Sequence, residues 1–438
     1  MERRIDKLTA LPFINWETGT ITLPHSSKNS DFNPAAPTSQ VMIAGDWAPI
    51  RHFAPIVANN PVSIYGDVYP LLTASDLSIV NLEAPLSDYG LPIWKSGAVF
   101  KGEKCHVKGL TSVPFDVVTL ANNHMFDFDR EAFQDTLDTL DENNIKHLGA
   151  GNTLEDARRP LIMKVNDLVI GLVNFSEGED LKGAEEQKPG VMGWDLDGVE
   201  KTIKELKGKV DFIIAISHCG IEYIPFPPPY VTRAFQRMAD AGADMVIGHH
   251  PHVPQGICVH NGVPICYSLG NFVFFQDTPL IHRKQGYMVK AILQKNQPPA
   301  LELIPYEIHT KGISLLNGAV RERFFSELKE ISMPLDTQKG IEDAWHGFLH
   351  HYGTKGFVKE IEMLMNRMEE EPEKGAAMFR NRLTTLQHFH HWKDALTRMI
   401  DGTIDHSPQW ARDLTHQWLT RTLDDAKKAV DNIQEKKQ

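Results

Sequence analysis

Met245-Val246-Ile247-Gly248-His249-His250-Pro251-His252 is a short apolar run that stops in three imidazoles. A run this brief, free of helical spacing and closed by polar residues, reads as a buried strand. The chain repeats the design. Val41–Gly45 closes at Asp46, Leu77–Leu82 at Asn81-Leu82-Glu83, and Val117–Leu120 at Ala121-Asn122-Asn123-His124. Leu168–Asn174 ends in an asparagine, Phe212–Ser217 meets His218, and Ile265–Leu269 runs into Gly270-Asn271. Amphipathic stretches, Arg130–Glu142, Leu196–Lys207 and Val231–Ala241, lie between these runs. Alternating buried strands and helices predict an α/β fold, whose sites gather at the carboxyl edge of the sheet. Tyr287–Leu293 and Leu301–Ile308 have no helix between them and predict a later antiparallel hairpin.

The strand ends carry a shared chemistry. Asp46, Glu83, Asn123, His218, His250 and His252 offer carboxylate, amide and imidazole donors, which together suit divalent ions. Taken singly, Asp46 also fits a turn or helix cap, Asn122-Asn123 a loop, and His218 a hydrogen-bonded core histidine. Glu83 resists such readings, because a carboxylate directly behind Ile79-Val80-Asn81-Leu82 is costly to bury unpaired. His250 and His252, two apart on an extended segment, would point the same way and reach ions roughly 3.5–4 Å apart. His124 is the candidate general acid. Asn81, Asn122, Glu222, His249 and Asn271 stand beside these groups and are expected to orient ligands or touch substrate.

A net charge of −12 over 438 residues argues against a broad nucleic-acid surface but leaves anionic substrates open. Met1 to Leu8 has no apolar core of signal-peptide length behind it, and no run of roughly 18 apolar residues occurs, so no membrane span is expected and the cytoplasm is the expected address. The four cysteines read as free thiols. A turn at Asn261-Gly262 sets Cys258 opposite Ile265, so Cys266 faces the other way. Residues 1–40, with the Pro- and Ser-containing Pro24 to Gln40, read as an arm. Residues 311–438 turn helical, over 321–333, 341–351, 355–370, 376–400 and 408–435, with no clear strand. In that region His350, His351, His388, His390 and His391 read as surface or interhelical contacts. Tyr223 to Tyr230, rich in proline, reads as a rim loop or connector. Arg51, His52, Lys95, Lys101 and Arg283 are candidates for holding an anion.

The motifs Ala44-Gly45-Asp46, Asn81-Leu82-Glu83-Ala84-Pro85-Leu86, Leu120-Ala121-Asn122-Asn123-His124, Ser217-His218-Cys219-Gly220-Ile221-Glu222-Tyr223, Gly248-His249-His250-Pro251-His252-Val253 and Ser268-Leu269-Gly270-Asn271-Phe272 resemble, in order, those of the capsule-synthesis CapA family. That family is the poly-γ-glutamate biosynthesis branch of the calcineurin-like metallophosphoesterases. The resemblance implies a four-layer αββα metallophosphatase-like sandwich over residues 41–310. It also implies a dinuclear site, with Asp46 and His252 on one ion, Asn123, His218 and His250 on the other, and Glu83 bridging. Mn, Fe or Zn would suit the donors. The implied activity is metal-dependent hydrolysis of a phosphate ester or related anionic substrate, small or polymeric. Two alternatives stay open: amide or acyl chemistry on a γ-glutamyl compound, and a non-enzymatic accessory subunit of a polyglutamate synthetase. Trp47 and Ala48 depart from the superfamily's Asp-x-His, so one ion lacks a customary imidazole. An N-terminal membrane anchor or export signal, which the family's capsule proteins commonly carry, is not read in the first residues and is not expected here.

Overall fold

Period-two burial sorts the strand residues into two cores. In the computed structural model, which describes residues 13–23 and 37–425, Val41, Ile43, Leu77 and Ile79 of one sheet meet Ile170, Leu172, Ile214 and Ile247 of a second. Their neighbours in sequence, Met42, Ala44, Val80, Val173, Ala215 and Val246, face outward onto helices. Two stacked sheets with helices outside them make the expected αββα sandwich.

The first sheet has nine strands. Phe13–Asn15, Thr20–Thr22, Ala300–His309, Gln285–Leu293, Ser39–Trp47, Leu77–Leu82, Val117–Thr119 and Lys146–Leu148 lie in that order, and Gly312–Leu315 adds to Ala300–His309. The second runs Ile257–His260, Val263–Cys266, Met245–His249, Phe212–His218, Leu168–Ser176 and Leu161–Val165. Ser39–Trp47 is parallel to Leu77–Leu82, which is parallel to Val117–Thr119. Leu168–Ser176, Phe212–His218 and Met245–His249 are parallel in the same way. Both parallel sets therefore end on one side of the molecule, and their carboxyl edges meet there. Cys258 pairs with Ile265 and His260 with Val263, as the turn predicts, and all four cysteines are free.

Three expectations about the strands change. Phe13–Asn15 and Thr20–Thr22 fall in the stretch read as an arm, yet Thr20–Thr22 pairs with Ala300–His309 and buries Ile21. Strands of three residues leave too short an alternation to detect. Residues 24–36, like Met1 to Leu8, lie outside the described residues. Gly312–Leu315 is a strand where none was expected after Thr310. The last strand of the parallel set is Val263–Cys266, earlier than Ile265–Leu269, because Ser268 to Phe272 leaves the sheet to cross the end of Ser39–Trp47.

The C-terminal helices are Gly318–Ser332, Gln338–Glu370 (broken at Gly353), Pro372–Thr384, Leu386–Ile400 and Gln409–Thr420. Residues 426–435 of the last expected helix lie outside the described residues. The stretch 376–400 is two helices, not one, because Thr385 is extended at φ −89° and ψ 131°. Among the described residues no helix is long and apolar enough to cross a membrane.

Asn174 ties the sheets together beside their common edge. Its Oδ1 accepts the Ala121 N–H at 2.8 Å and its Nδ2 donates to the Ile216 carbonyl at 3.1 Å. Asn174→Ala leaves the buried Ala121 N–H without its partner and removes the tie to Ile216, so it should lower stability by about 1–3 kcal/mol, read from urea unfolding. The strand-end asparagine is thus a clamp, not a ligand.

Candidate metal centre

Four donor atoms from both sheets converge on one point. His218 Nε2 lies 3.0 Å from Asn123 Oδ1, 3.1 Å from His250 Nδ1 and 3.4 Å from Glu83 Oε1. His252 Nε2 approaches the same Glu83 oxygen at 3.6 Å, and its Nδ1 stands 3.6 Å from Asp46 Oδ2. Glu83, His250 and His252 can each place a ligand atom within 4.8 Å of the others. All six expected ligands are brought together. Asp46, Glu83, His218, His250 and His252 are buried.

His250 and His252 do not converge as an extended pair. Their φ values are 98° and 58°, so both sit in left-handed backbone that non-glycine residues rarely adopt. The turn aims the His250 N–H at Asp46 Oδ2, 3.4 Å away. Strain of this kind at a ligand segment persists only where surrounding contacts fix it.

Neighbouring amides hold the candidate ligands in orientation. Asn81 donates to Asp46 Oδ1 at 2.8 Å, and its own Oδ1 accepts from Thr119. Asn122 donates to the Leu82 carbonyl at 2.7 Å and accepts the His124 N–H. Asn271 Oδ1 lies 2.8 Å from His252 Nδ1, leaving Nε2 aimed at Glu83. His249 Nδ1 stands 3.2 Å from Asp46 Oδ1. It gives Asp46 an imidazole neighbour even though Trp47 and Ala48 do not; Trp47 is buried and bonds Tyr65.

The electrostatics fit a cation. Neither oxygen of Glu83 has a hydrogen-bond partner, although both are buried. Burial, with the charges of Asp46 and Glu222, pushes its carboxyl well above the usual range. Burial also drives the His218 imidazole well below its ordinary value, and neighbouring histidines add to this. Burial opposes the Asp46 charge, yet His249 and His252 hold its carboxyl below normal. An unpaired buried carboxylate beside neutral imidazoles is the donor set a divalent ion completes.

His124 stands apart from the ligand atoms, with Nε2 4.0 Å from Glu83 Oε1. Its Nδ1 is 2.6 Å from Asp127 Oδ2, and its ring stacks on Phe100 at 4.1 Å. Lys95 Nζ bonds Asp127 Oδ1 at 2.9 Å and the Asn123 carbonyl at 2.7 Å. Lys95 is therefore buried and committed to the protein, not free for an anion. Asp127 went unread in the sequence, and Lys95 was read as an anion holder; an acidic residue three after His124 was the available signal.

A cavity of about 720 Å³ opens over the cluster, lined by Asn123, His124, Glu222 and His252 on one side. Arg51 and Arg283 also line it, each over an aromatic ring, Phe100 at 5.2 Å and Tyr223 at 3.5 Å. Lys101 instead lies over Phe128, and His52 packs on Phe275. Tyr223 and Ile224 form part of the rim, while Pro229 begins the helix Pro229–Ala241. The opposite wall comes from the C-terminal helices, through Phe348, Tyr352, Arg382 and His388. His388 bonds Arg382, His390 stacks on Tyr230, and His391 packs against Tyr352, all interhelical or packing roles. No local pattern announced this wall.

A family profile described as bacterial capsule synthesis protein PGA_cap matches residues 40–276. The PGA biosynthesis protein CapA of Bacillus subtilis is 35% identical over 251 residues, covering 56% of this chain and 65% of that protein's length. The capsule biosynthesis protein CapA of Bacillus anthracis is 31% identical over 310 residues, covering 68% of this chain and 73% of that protein. Among solved structures, a 5'-nucleotidase precursor from Thermus thermophilus is similar at 15% identity and a TM-score of 0.40, covering 67% of this chain and 58% of that one. The ordered motifs and the match across residues 40–276 give one conclusion: the chain belongs to the bacterial capsule synthesis protein PGA_cap family.

Proposed function

We propose that this chain is a metal-dependent hydrolase of an anionic substrate, with two divalent ions, Mn, Fe or Zn, at the joined sheet edges. The observation that carries it is the orphaned Glu83 carboxylate facing the imidazoles of His218 and His252, with His250 within 4.8 Å. Asp46 and His252 would hold one ion, Asn123, His218 and His250 the other, and Glu83 would lie between them. Such ions supply Lewis acidity and an acidified water at neutral pH. The protein's own part is positioning. Asp127 accepts from His124 Nδ1, so Nε2 is the nitrogen that takes up a proton from the site and, once protonated, can pass it to a leaving oxygen. Arg51 and Arg283 give the cavity two guanidinium groups for substrate anions.

A phosphate ester is the first substrate class. A γ-glutamyl amide is the second, favoured by the two arginines, which suit carboxylates as well as phosphate, and by relatives named for PGA and capsule biosynthesis. The test is metal analysis of the purified protein, then turnover of phosphomonoesters, phosphodiesters and γ-glutamyl amides with Mn²⁺ or Zn²⁺ restored. Turnover should vanish with a chelator and fall by at least about a hundredfold in His250→Ala and Asn123→Ala. Activity that survives both treatments overturns the reading.

A further inference from the structure

The helix Leu386–Ile400 begins against the metal cluster, and the manner of its attachment singles out one side chain. Gln387 is the second residue of that helix, 4% exposed, and its backbone N–H is one of the donors a helix start leaves unsatisfied. Glu177 Oε2 accepts it at 3.0 Å. Glu177 is itself fixed, because its Oε1 accepts the Gly220 N–H at 2.9 Å and the Tyr230 hydroxyl at 2.5 Å. The Gln387 backbone is thereby pinned to the sheet edge that carries His218. From that position its side-chain Oε1 reaches His250 Nε2 at 3.4 Å.

The consequence concerns which nitrogen of His250 is free. Nδ1 faces the convergence point, 3.1 Å from His218 Nε2, whereas Nε2 faces away, toward Gln387. A carbonyl oxygen only accepts, so it favours the imidazole form with its proton on Nε2. That form leaves the Nδ1 lone pair bare and aimed where a cation would sit. Resting on the metal-site reading above, we propose that Gln387 is a positioning residue of the metal centre, which fixes the tautomer and orientation of His250 from the C-terminal helical region. The helical region is then a structural part of the site and not an appendage.

The test uses the full chain and Zn²⁺ alone as the probe, with affinity measured by chelator competition and unfolding followed in parallel. Gln387→Met keeps the side chain's length and removes the acceptor, and should bind Zn²⁺ about tenfold more weakly, the low end for loss of an outer partner. Gln387→Glu restores an acceptor and should bind at least as tightly as the wild type. In long-range ¹H–¹⁵N spectra of histidine-labelled, Zn²⁺-loaded protein, the His250 proton should sit on Nε2. Wild-type affinity in Gln387→Met, weak binding in Gln387→Glu, or a proton on Nδ1 each overturns the proposal. If His250→Ala loses Zn²⁺ while Gln387→Met does not, this inference alone fails. If the wild type binds no Zn²⁺, or His250→Ala binds it normally, the metal-site reading fails and takes the inference with it.

Discussion

Stripped of metal with a chelator, Glu83→Gln protein should be more stable than stripped wild type, by about 1–3 kcal/mol in urea unfolding. Both Glu83 oxygens are buried and unpartnered, so the carboxylate either keeps an uncompensated charge or takes up a proton against its ordinary preference. Each course costs free energy, and a neutral amide of the same shape avoids most of it. With metal the order should reverse. Zn²⁺ or Mn²⁺ at a thousand times its Kd adds about 4.1 kcal/mol to any fold that binds it, more than the whole of that difference. The wild type should gain that increment and Glu83→Gln should not, and its turnover should be lost with the metal. The crossing of the two stabilities is the decisive signature, since an ordinary structural glutamate would lose stability under both conditions. A Glu83→Gln protein that is weaker without metal and still stabilised by it would remove Glu83 from the site.

The sequence showed much of this arrangement because the candidate ligands lie at the ends of strands whose burial is continuous. Asp46, Glu83 and His218 could be placed at a sheet edge from the apolar runs before them, and the parallel pairing brings those edges together. The Cys258 register followed from one turn and period-two geometry. What stayed hidden depends on contacts between residues far apart in the chain. Gln387 meets His250 across 137 positions and Glu177 across 210. Thr385 is the N-cap of the following helix, but its side chain makes no cap bond; the Gln387 N–H is held instead by Glu177, a partner no local pattern shows. Lys95 was expected to hold an anion, yet it is buried with Asp127 and the Asn123 carbonyl as its partners. The left-handed backbone at His250 and His252 was equally unreadable, because histidine adopts it more often than most residues but still rarely, and the surrounding contacts decide where.

Gly45→Ala should cost about 3 kcal/mol, the upper end for overpacking, and should weaken metal binding although Gly45 supplies no ligand. A Cβ at this position would stand 2.1 Å from the Gly270 carbonyl oxygen and 3.2 Å from the Tyr306 hydroxyl. The first obstacle is backbone and cannot rotate away. Gly270 is there because its loop is laced along the end of Ser39–Trp47. The Asp46 N–H donates to Gly270 at 3.2 Å, and the Phe272 N–H donates to the Asp46 carbonyl at 2.8 Å. The same lacing presents Asn271 to His252. Displacing the loop by enough to admit a methyl group would pull Asn271 from that imidazole and disturb Asp46 directly. Gly97→Ala provides the contrast, since a Cβ there meets nothing within 4 Å and stability should change by no more than about 0.5 kcal/mol. Unfolding midpoints and Zn²⁺ affinities of the two variants test the argument together. If Gly45→Ala lost stability but bound Zn²⁺ like wild type, the loop at Gly270 would be packing alone, and the orientation of His252 would have to come from elsewhere.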